Sequence, residues 1–360
     1  EIKVNSIKGV GASTAAITIN NSDGTCTANF TNRTNKNLYI NGACLVNQRG
    51  SSSTSEGYQT IDRFYVGSGG TNEAPTQAQV DVASGTTPYT LGFRKALKIT
   101  NGNQTGGAGT ADFMYLKHTF EAQDIANSGW NYLSSSSNVT LSFWVKSSVA
   151  QSFKAYFHTR QGTEYQYPFE TGSLSADTWT KVTKTISGNS NLTFNSDNGL
   201  GLELYIWSFL GTDYTASSVT EDAWSTYANA ARTKDATSTW YTTNDATLEM
   251  TGFQLEVSDH ATDFEHRSFA QELVLCERYY EVCEGGMSVY GTSGTYHGAS
   301  TQFSTKKRAA PTVTRLSDTL SSGANTPAAD NVTTRAFRAL AQSNAAFLQF
   351  QTVYSADCEL

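Results

Sequence analysis

The sequence predicts an all-β protein organised around a β-sandwich. Three observations carry that expectation: short runs rich in Val, Ile, Thr and aromatics alternate apolar with polar residues, clusters of Gly, Asn, Ser and Asp separate them at regular spacing, and only one segment has a convincing helical pattern. The composition agrees. Of 360 residues 38% are hydrophobic and 12% aromatic, but only 16% are charged, against about 25% in ordinary globular chains. A coiled coil or an acidic tail needs more charge, and a disordered chain has fewer aromatics. One core seldom serves more than roughly 250 residues, so two or three domains are expected.

Residues 1–50 read as an N-terminal connector of short strands and Gly/Asn turns (Ile17 and Ile19, the turn over 21–24, Leu38 and Ile40) with too few large apolar residues to form a core alone. Residues 51–283 carry the sandwich. In Thr140 to Lys146, Leu141, Phe143 and Val145 point to one face and Ser142, Trp144 and Lys146 to the other. Phe153 to Arg160 buries Phe153, Ala155 and Phe157 and presents Lys154, Tyr156, His158 and Arg160, before a turn at Gln161-Gly162 into a strand through Tyr165 and Tyr167. Leu200, Leu202, Leu204 and Ile206 face inward, leaving Glu203, Tyr205 and Trp207 outside. The phase changes between Leu248, Met250 and Phe253, Leu255, Val257, which marks a β-bulge at Thr251-Gly252. A closing helix over about 268–280 follows, with Ser268 capping opposite Gln271, an inward face of Phe269, Leu273 and Cys276, and a break at Gly285-Gly286. Residues 284–360 read as a small C-terminal β-domain: strands over 301–305, 332–340 and 346–354, a polar connection over 320–329, and a core including Leu348, Phe350 and Tyr354.

The formal net charge of −7 and the lack of a basic cluster argue against nucleic-acid binding. The triplet Lys306-Lys307-Arg308 reads as a solvated turn or strand end. No apolar run is long enough to span a membrane. Cys26, Cys44, Cys276, Cys283 and Cys358 have neither zinc-ligand spacing nor the look of a disulfide framework.

Specific wording adds a resemblance. Asn37-Leu-Tyr-Ile-Asn-Gly-Ala43 with Gln48-Arg49-Gly50 and Asp62-Arg63-Phe64, then Leu141-Ser-Phe-Trp-Val-Lys-Ser147, then Met250-Thr-Gly-Phe-Gln-Leu-Glu-Val257, then Asp263-Phe-Glu-His-Arg-Ser-Phe269 with Glu272-Leu-Val-Leu-Cys-Glu-Arg-Tyr-Tyr280, stand in order across roughly residues 37–280. Together they resemble tail-fibre and related virion appendage proteins of bacteriophages, many of them marine. Arg308-Ala-Ala-Pro-Thr-Val313 echoes the same family, whereas Ser258-Asp-His-Ala-Thr-Asp-Phe-Glu265 lacks the proline that family places before Phe-Glu. The resemblance implies a jelly-roll sandwich akin to carbohydrate-binding modules, a homotrimer located in the virion, and attachment to other virion proteins through the N-terminal segment. Its motifs are structural and bring no ligand residue with them.

For function, a sugar site needs aromatic surfaces for pyranose C–H groups and polar side chains for the hydroxyls. Trp144, Tyr156, His158, Arg160, Glu203, Tyr205 and Trp207 supply such a set if their strands are neighbours, and Trp224, Tyr227, Trp240 and Tyr241 supply loop aromatics. The leading expectation is a tail-fibre adhesin that binds host surface polysaccharide. The alternative is a purely structural virion protein, a capsid fibre, decoration or collar, whose aromatics are covered by a long loop or by other subunits. An enzyme is not expected: Glu203 with Glu164 or Glu170 is an available carboxylate pair, but no nucleophile, metalloprotease or phosphate-loop motif is present. The cluster Asp259, His260, Asp263, Glu265 and His266 precedes the helix and reads as capping; a calcium ion there would be structural only, and no cofactor is expected.

Overall fold

The computed structural model describes residues 6–7, 17–19, 22, 26–28 and 35–360. The expected turn over 21–24 lies, apart from Ser22, outside the described residues. Three short strands, β1 (Ser6–Ile7), β2 (Ile17–Ile19) and β3 (Cys26–Ala28), form a small antiparallel sheet.

Two six-stranded sheets make the sandwich. Its strands are β4 (Ser52–Ser53), β5 (Tyr65–Gly69), β6 (Thr76–Asp81), β7 (Lys95–Thr100), β8 (Phe113–Glu121) and β9 (Asn138–Ser147). They continue as β10 (Lys154–Thr159), β11 (Tyr165–Glu170), β12 (Thr180–Ser187), β13 (Leu200–Leu210), β14 (Ser225–Thr226) and β15 (Thr247–Glu256). One sheet has the order β14-β11-β10-β13-β8-β5 and the other β12-β9-β15-β7-β6-β4. The chain alternates between them in the jelly-roll manner: β8 in the first sheet, β9 in the second, β10 and β11 in the first, β12 in the second, β13 in the first.

The period of two in the sequence fills the core between these sheets. Leu141, Phe143 and Val145 of β9 share one cluster with Leu202, Leu204 and Ile206 of β13. Leu200, expected beside them, is half-buried, because the pairing of β13 with β8 shifts register between Leu200 and Leu202. The bulge in β15 is where the phase change places it: its register with β9 slips between Thr251 and Gln254, and Gly252 adopts φ +68°. Leu248 and Met250 before it and Phe253 and Leu255 after it therefore all reach the same core.

Residues 35–50 are not connector. Tyr39 and Cys44 belong to the main core, and the Tyr39 ring stacks on His118 and Phe253 at 3.8 and 5.2 Å. Leu38 and Ile40 form no strand. Asn37 holds this stretch in place: its Oδ1 accepts from the Tyr39 and Leu255 backbone N–H groups, and its Nδ2 donates to the Phe253 carbonyl. The segment looked too poor in apolar residues to fold alone because its packing partners come from β8 and β15.

The helix Phe269–Glu277 begins with the expected capping box between Ser268 and Gln271. Its inward face differs from the expected one. Cys276 is buried, but Phe269 is 56% exposed, and Glu272 takes a buried position where it accepts the Asn41 N–H. Gly285 and Gly286 do not break the chain either. They lie inside β16 (Tyr280–Tyr290), where a Cβ on Gly286 would come within 2.3 Å of the Phe350 carbonyl oxygen.

The C-terminal unit adds β17 (Tyr296–Gln302), β18 (Thr312–Ser322), β19 (Ala328–Asp330), β20 (Ala336–Gln342) and β21 (Phe347–Asp357). Sheets β16-β21-β18 and β17-β20-β19 enclose a core that includes Phe337, Leu348, Phe350 and Tyr354. Strand structure enters the expected connection at both ends, through β18 and β19.

Buried ion pairs join this unit to the sandwich. Arg49 lies 3.3 Å from each of Asp62, Asp357 and Glu359; Arg63 pairs with Glu359, donates to the Thr119 carbonyl and sits 3.4 Å above the Tyr279 ring. Lys307, expected in a solvated turn, is fully buried and paired with Glu281, while Arg308 donates to the Cys358 and Asn198 carbonyls at 2.9 Å. Only Lys306 of that triplet is exposed. The Gln-Arg-Gly and Asp-Arg-Phe motifs thus build the junction between the two units. No helix among the described residues is long and apolar enough to cross a membrane.

Candidate functional site

Strand register gathers most of the predicted residues on the outer face of the first sheet. Tyr156 of β10 stands opposite Tyr205 of β13, and His158 opposite Glu203. The row through Tyr156 and Tyr205 extends to Pro168 on one side and to Lys117 and Tyr65 on the other. Trp207 and Tyr115 form the next row.

The rings on this face stack on one another. Tyr156 and Tyr205 lie 5.0 Å apart with planes 7° from parallel, and Tyr205 and Trp207 5.6 Å apart at 10°. Two glycines let the β8 rings lean over β5. A Cβ at Gly67 would sit 2.5 Å from the Tyr115 ring, and one at Gly69 2.5 Å from the Phe113 ring.

The chain after β13 then crosses above the face. Backbone bonds from Arg232 to Tyr214 (2.9 Å) and from Ala216 to Thr233 (3.0 Å) close this segment into a loop, and β14 adds its middle to the sheet edge. Tyr214, Tyr227 and Arg232 come from it. Between loop and sheet is a cleft of about 250 Å³ with Tyr156 and Trp207, both only 1% exposed, at its base. Phe113, Tyr115, Tyr205, Tyr214 and Tyr227 line it, with His158, Arg160 and Arg232.

Charge beside the cleft is mostly compensated. Glu203 lies 3.2 Å from Lys117, 3.4 Å from Arg160 Nε and 3.7 Å from His158 Nδ1. Glu164 lies 2.9 Å from His158 Nε2 and 3.2 Å from Arg160. The His158 ring, stacked 4.0 Å from Tyr227, is nonetheless less basic than usual: burial comes first and Arg160 second, and together they outweigh the two carboxylates. His158 is thus a neutral hydrogen-bonding group near pH 7. Arg232 differs from these groups. Its guanidinium lies 5.6 Å from the Trp207 ring centroid and 4.7 Å from that of Tyr214, one nitrogen donates to Asn229, and no carboxylate among the described residues pairs with it. Arg232 Nε and Trp207 Nε1 are both buried without a hydrogen-bond partner.

Two predicted residues are elsewhere. Trp144 projects from β9 of the second sheet, against the small cluster of Val82, Phe93 and Ala96. Trp240 is fully buried in the main core, its Nε1 donating to the Thr247 carbonyl at 3.0 Å. Of the other loop aromatics only Tyr227 reaches the cleft: Trp224 bonds the Ser187 carbonyl, and Tyr241 is buried with its hydroxyl on Asp112. A loop aromatic has no periodicity to show which way it points. Phe113, Tyr115, Tyr214 and Arg232 complete the site beyond the predicted set. The first two follow the same alternation as the other strands, and the last two carry no signal.

Glu170 does not approach Glu203 as a carboxylate partner; it pairs with Lys154 at 2.9 Å. The acid and His cluster before the helix disperses as well. Asp259 pairs with His260, Glu265 accepts the Asn37 N–H, and His266 bonds the Leu91 carbonyl, while the cap itself is Ser268. Among the described residues no three His, Cys, Asp or Glu side chains converge as metal ligands do.

No family model matches the chain, and no curated protein matches it. Among solved structures, the enzymatically active domain of bacteriophage CBA120 tailspike protein 4 is 8% identical, with a TM-score of 0.32 over 62% of this chain; the alignment spans about a fifth (21%) of that chain. A CBM4 structure is 11% identical, with a TM-score of 0.31 over 61% of this chain and 98% of its own. A family 11 carbohydrate-binding module from Clostridium thermocellum, in complex with a β-1,3-1,4-mixed-linked tetrasaccharide, is 8% identical, with a TM-score of 0.27 over 60% and 98%. Scores this low leave the function of this chain to its own side chains.

Proposed function

We propose that the protein binds carbohydrate through the cleft above β10, β13 and β8, and that it does so as an adhesin in an external bacteriophage appendage. The observation that carries the carbohydrate reading is the cleft itself. It pairs aromatic walls with N–H donors that lack partners, the combination a pyranose ring with its hydroxyls satisfies. At about 250 Å³ it is smaller than most small-molecule sites and takes one sugar residue instead of lying along a chain. Glu203 and Glu164 are both engaged with cations, which favours binding over hydrolysis. The appendage role, the homotrimer and the attachment to other virion proteins rest on the motif resemblance. In that setting a weak single site suffices, because linked copies raise avidity by roughly 10²–10⁴.

A packing role for the same face is the second reading, and the burial of Tyr156 and Trp207 favours it. Tyr205 separates the two, being half-buried in the cleft wall. Tyr205→Ala is expected to abolish binding to host surface polysaccharide while the oligomer, measured by light scattering, keeps its mass. Unchanged cell adsorption together with a dissociated oligomer would replace the carbohydrate reading with the packing one.

A further inference from the structure

We infer that the sugar residue held in the cleft is anionic, a uronate or a sulfated pyranose, and that Arg232 is the group that selects it. The inference rests on the carbohydrate reading above and adds the class of ligand.

Three facts about the cleft point the same way. First, no Asp or Glu lines it, whereas His158, Arg160 and Arg232 do. Second, those three are not equivalent. Arg160 shares Glu164 and Glu203 with His158, so its charge is already balanced inside the protein, and His158 is held neutral by burial and by Arg160. Arg232 has only rings and the Asn229 amide oxygen around it, so its positive charge is uncompensated by any described carboxylate. This is notable in a chain whose formal net charge is −7. Third, the cleft residues with a buried, unpartnered polar atom contribute donors and no acceptor: Nε of Arg160, Nε1 of Trp207 and Nε of Arg232. Arg160 Nε still faces Glu203 at 3.4 Å, which leaves Trp207 and Arg232 unmatched.

A neutral sugar hydroxyl both donates and accepts and would find tyrosine hydroxyl oxygens as acceptors here, whereas the buried unpartnered nitrogens of the cleft only donate. A carboxylate or sulfate brings only acceptors and matches the planar fork of a guanidinium. The position of Arg232 strengthens the match. With its carbon 5.6 Å from the Trp207 ring and 4.7 Å from the Tyr214 ring, the guanidinium is flanked by aromatic surface, which limits its hydration.

The test uses the full chain and three probes: an oligogalacturonate, its carboxyl-reduced neutral counterpart, and a sulfated galactan oligosaccharide, each titrated calorimetrically at low and at high salt. The uronate or the sulfated probe is expected to bind at least tenfold more tightly than the neutral one, with affinity falling as salt rises. Which of the two binds identifies the anion. Arg232→Gln should lose that preference, by roughly ten- to a hundredfold, the neutral probe losing less affinity than the anionic one, while its thermal midpoint stays as in the wild type. Arg232→Lys should recover part of the loss. Tighter binding of the neutral probe overturns the anionic assignment, an anion preference that survives Arg232→Gln overturns the selecting role of Arg232, and either result leaves carbohydrate binding standing. Failure of all three probes to bind overturns both.

Discussion

Two guanidinium sites among the described residues are finished differently. At the junction of the sandwich and the C-terminal unit, Arg49 and Arg63 share Asp62, Asp357 and Glu359, and the Arg63 ring contact and carbonyl bond complete the set. In the cleft, Arg232 lies against Trp207 with no carboxylate among the described residues paired with it, and both side chains keep a donor unpaired. Burying a charge is costly unless it is paired, so a partly buried guanidinium with no carboxylate beside it is a place to expect a ligand. At the junction Arg63 Nε is also buried without a hydrogen-bond partner, but there each guanidinium has carboxylates to balance its charge, and these tie the two units together.

The sharpest way to break this contrast is to unsettle the junction. Glu359→Ala strands Arg63, only 1% exposed, and reduces the partners of Arg49. It is expected to cost about 3–5 kcal/mol, read by chemical denaturation. A loss under about 1 kcal/mol would mean that the junction is less tightly coupled than its geometry implies.

A smaller effect comes from comparing two tryptophans. Trp207→Phe removes a ring edge and an unpaired donor, so it should cost about 1–2 kcal/mol in stability but most of the affinity for the sugar. Trp240→Phe also removes the indole bond to the Thr247 carbonyl, which keeps the Ser148 N–H at 3.0 Å, adding about 1 kcal/mol to the cost, and should leave sugar affinity alone. Equal effects on binding would show that the cleft is merely part of the core.

The smallest expected effect is pH-dependent. Burial raises the Glu121 carboxyl, but two 2.8 Å bonds from Arg278 outweigh it and hold the group below its ordinary 4.5. A lowered folded-state value adds stability above the unfolded pKa, and that contribution is lost as pH falls through the lowered value. Arg278 is partly exposed, so the contribution is at most about 1 kcal/mol. Thermal midpoints should fall more steeply below about pH 5 in the wild type than in Glu121→Gln.

The sheets and the outer face were legible because strand alternation assigns a side to each residue. Once β10 and β13 pair, Tyr156, His158, Glu203, Tyr205 and Trp207 must share a face. What alternation cannot encode is whether a face stays open. The loop that covers this one contains Tyr214, Tyr227 and Arg232 at positions without period, and the inward turn of Trp240 is equally silent. Lys307 was misread for a related reason. Basic triplets are usually solvated, and its partner Glu281 comes from β16, a strand hidden by the helix-breaking appearance of Gly285-Gly286.

The course of the chain between β13 and β15 has one more consequence. The sheet provides the base of the cleft, but the groups that set its charge and close its outer side come from a single uninterrupted stretch, between the end of β13 and Thr233. On the proposed reading, ligand choice is therefore confined to a cassette: a different sequence in that stretch would change the groups that line the cleft without redesigning the sandwich, a variable loop on a constant frame.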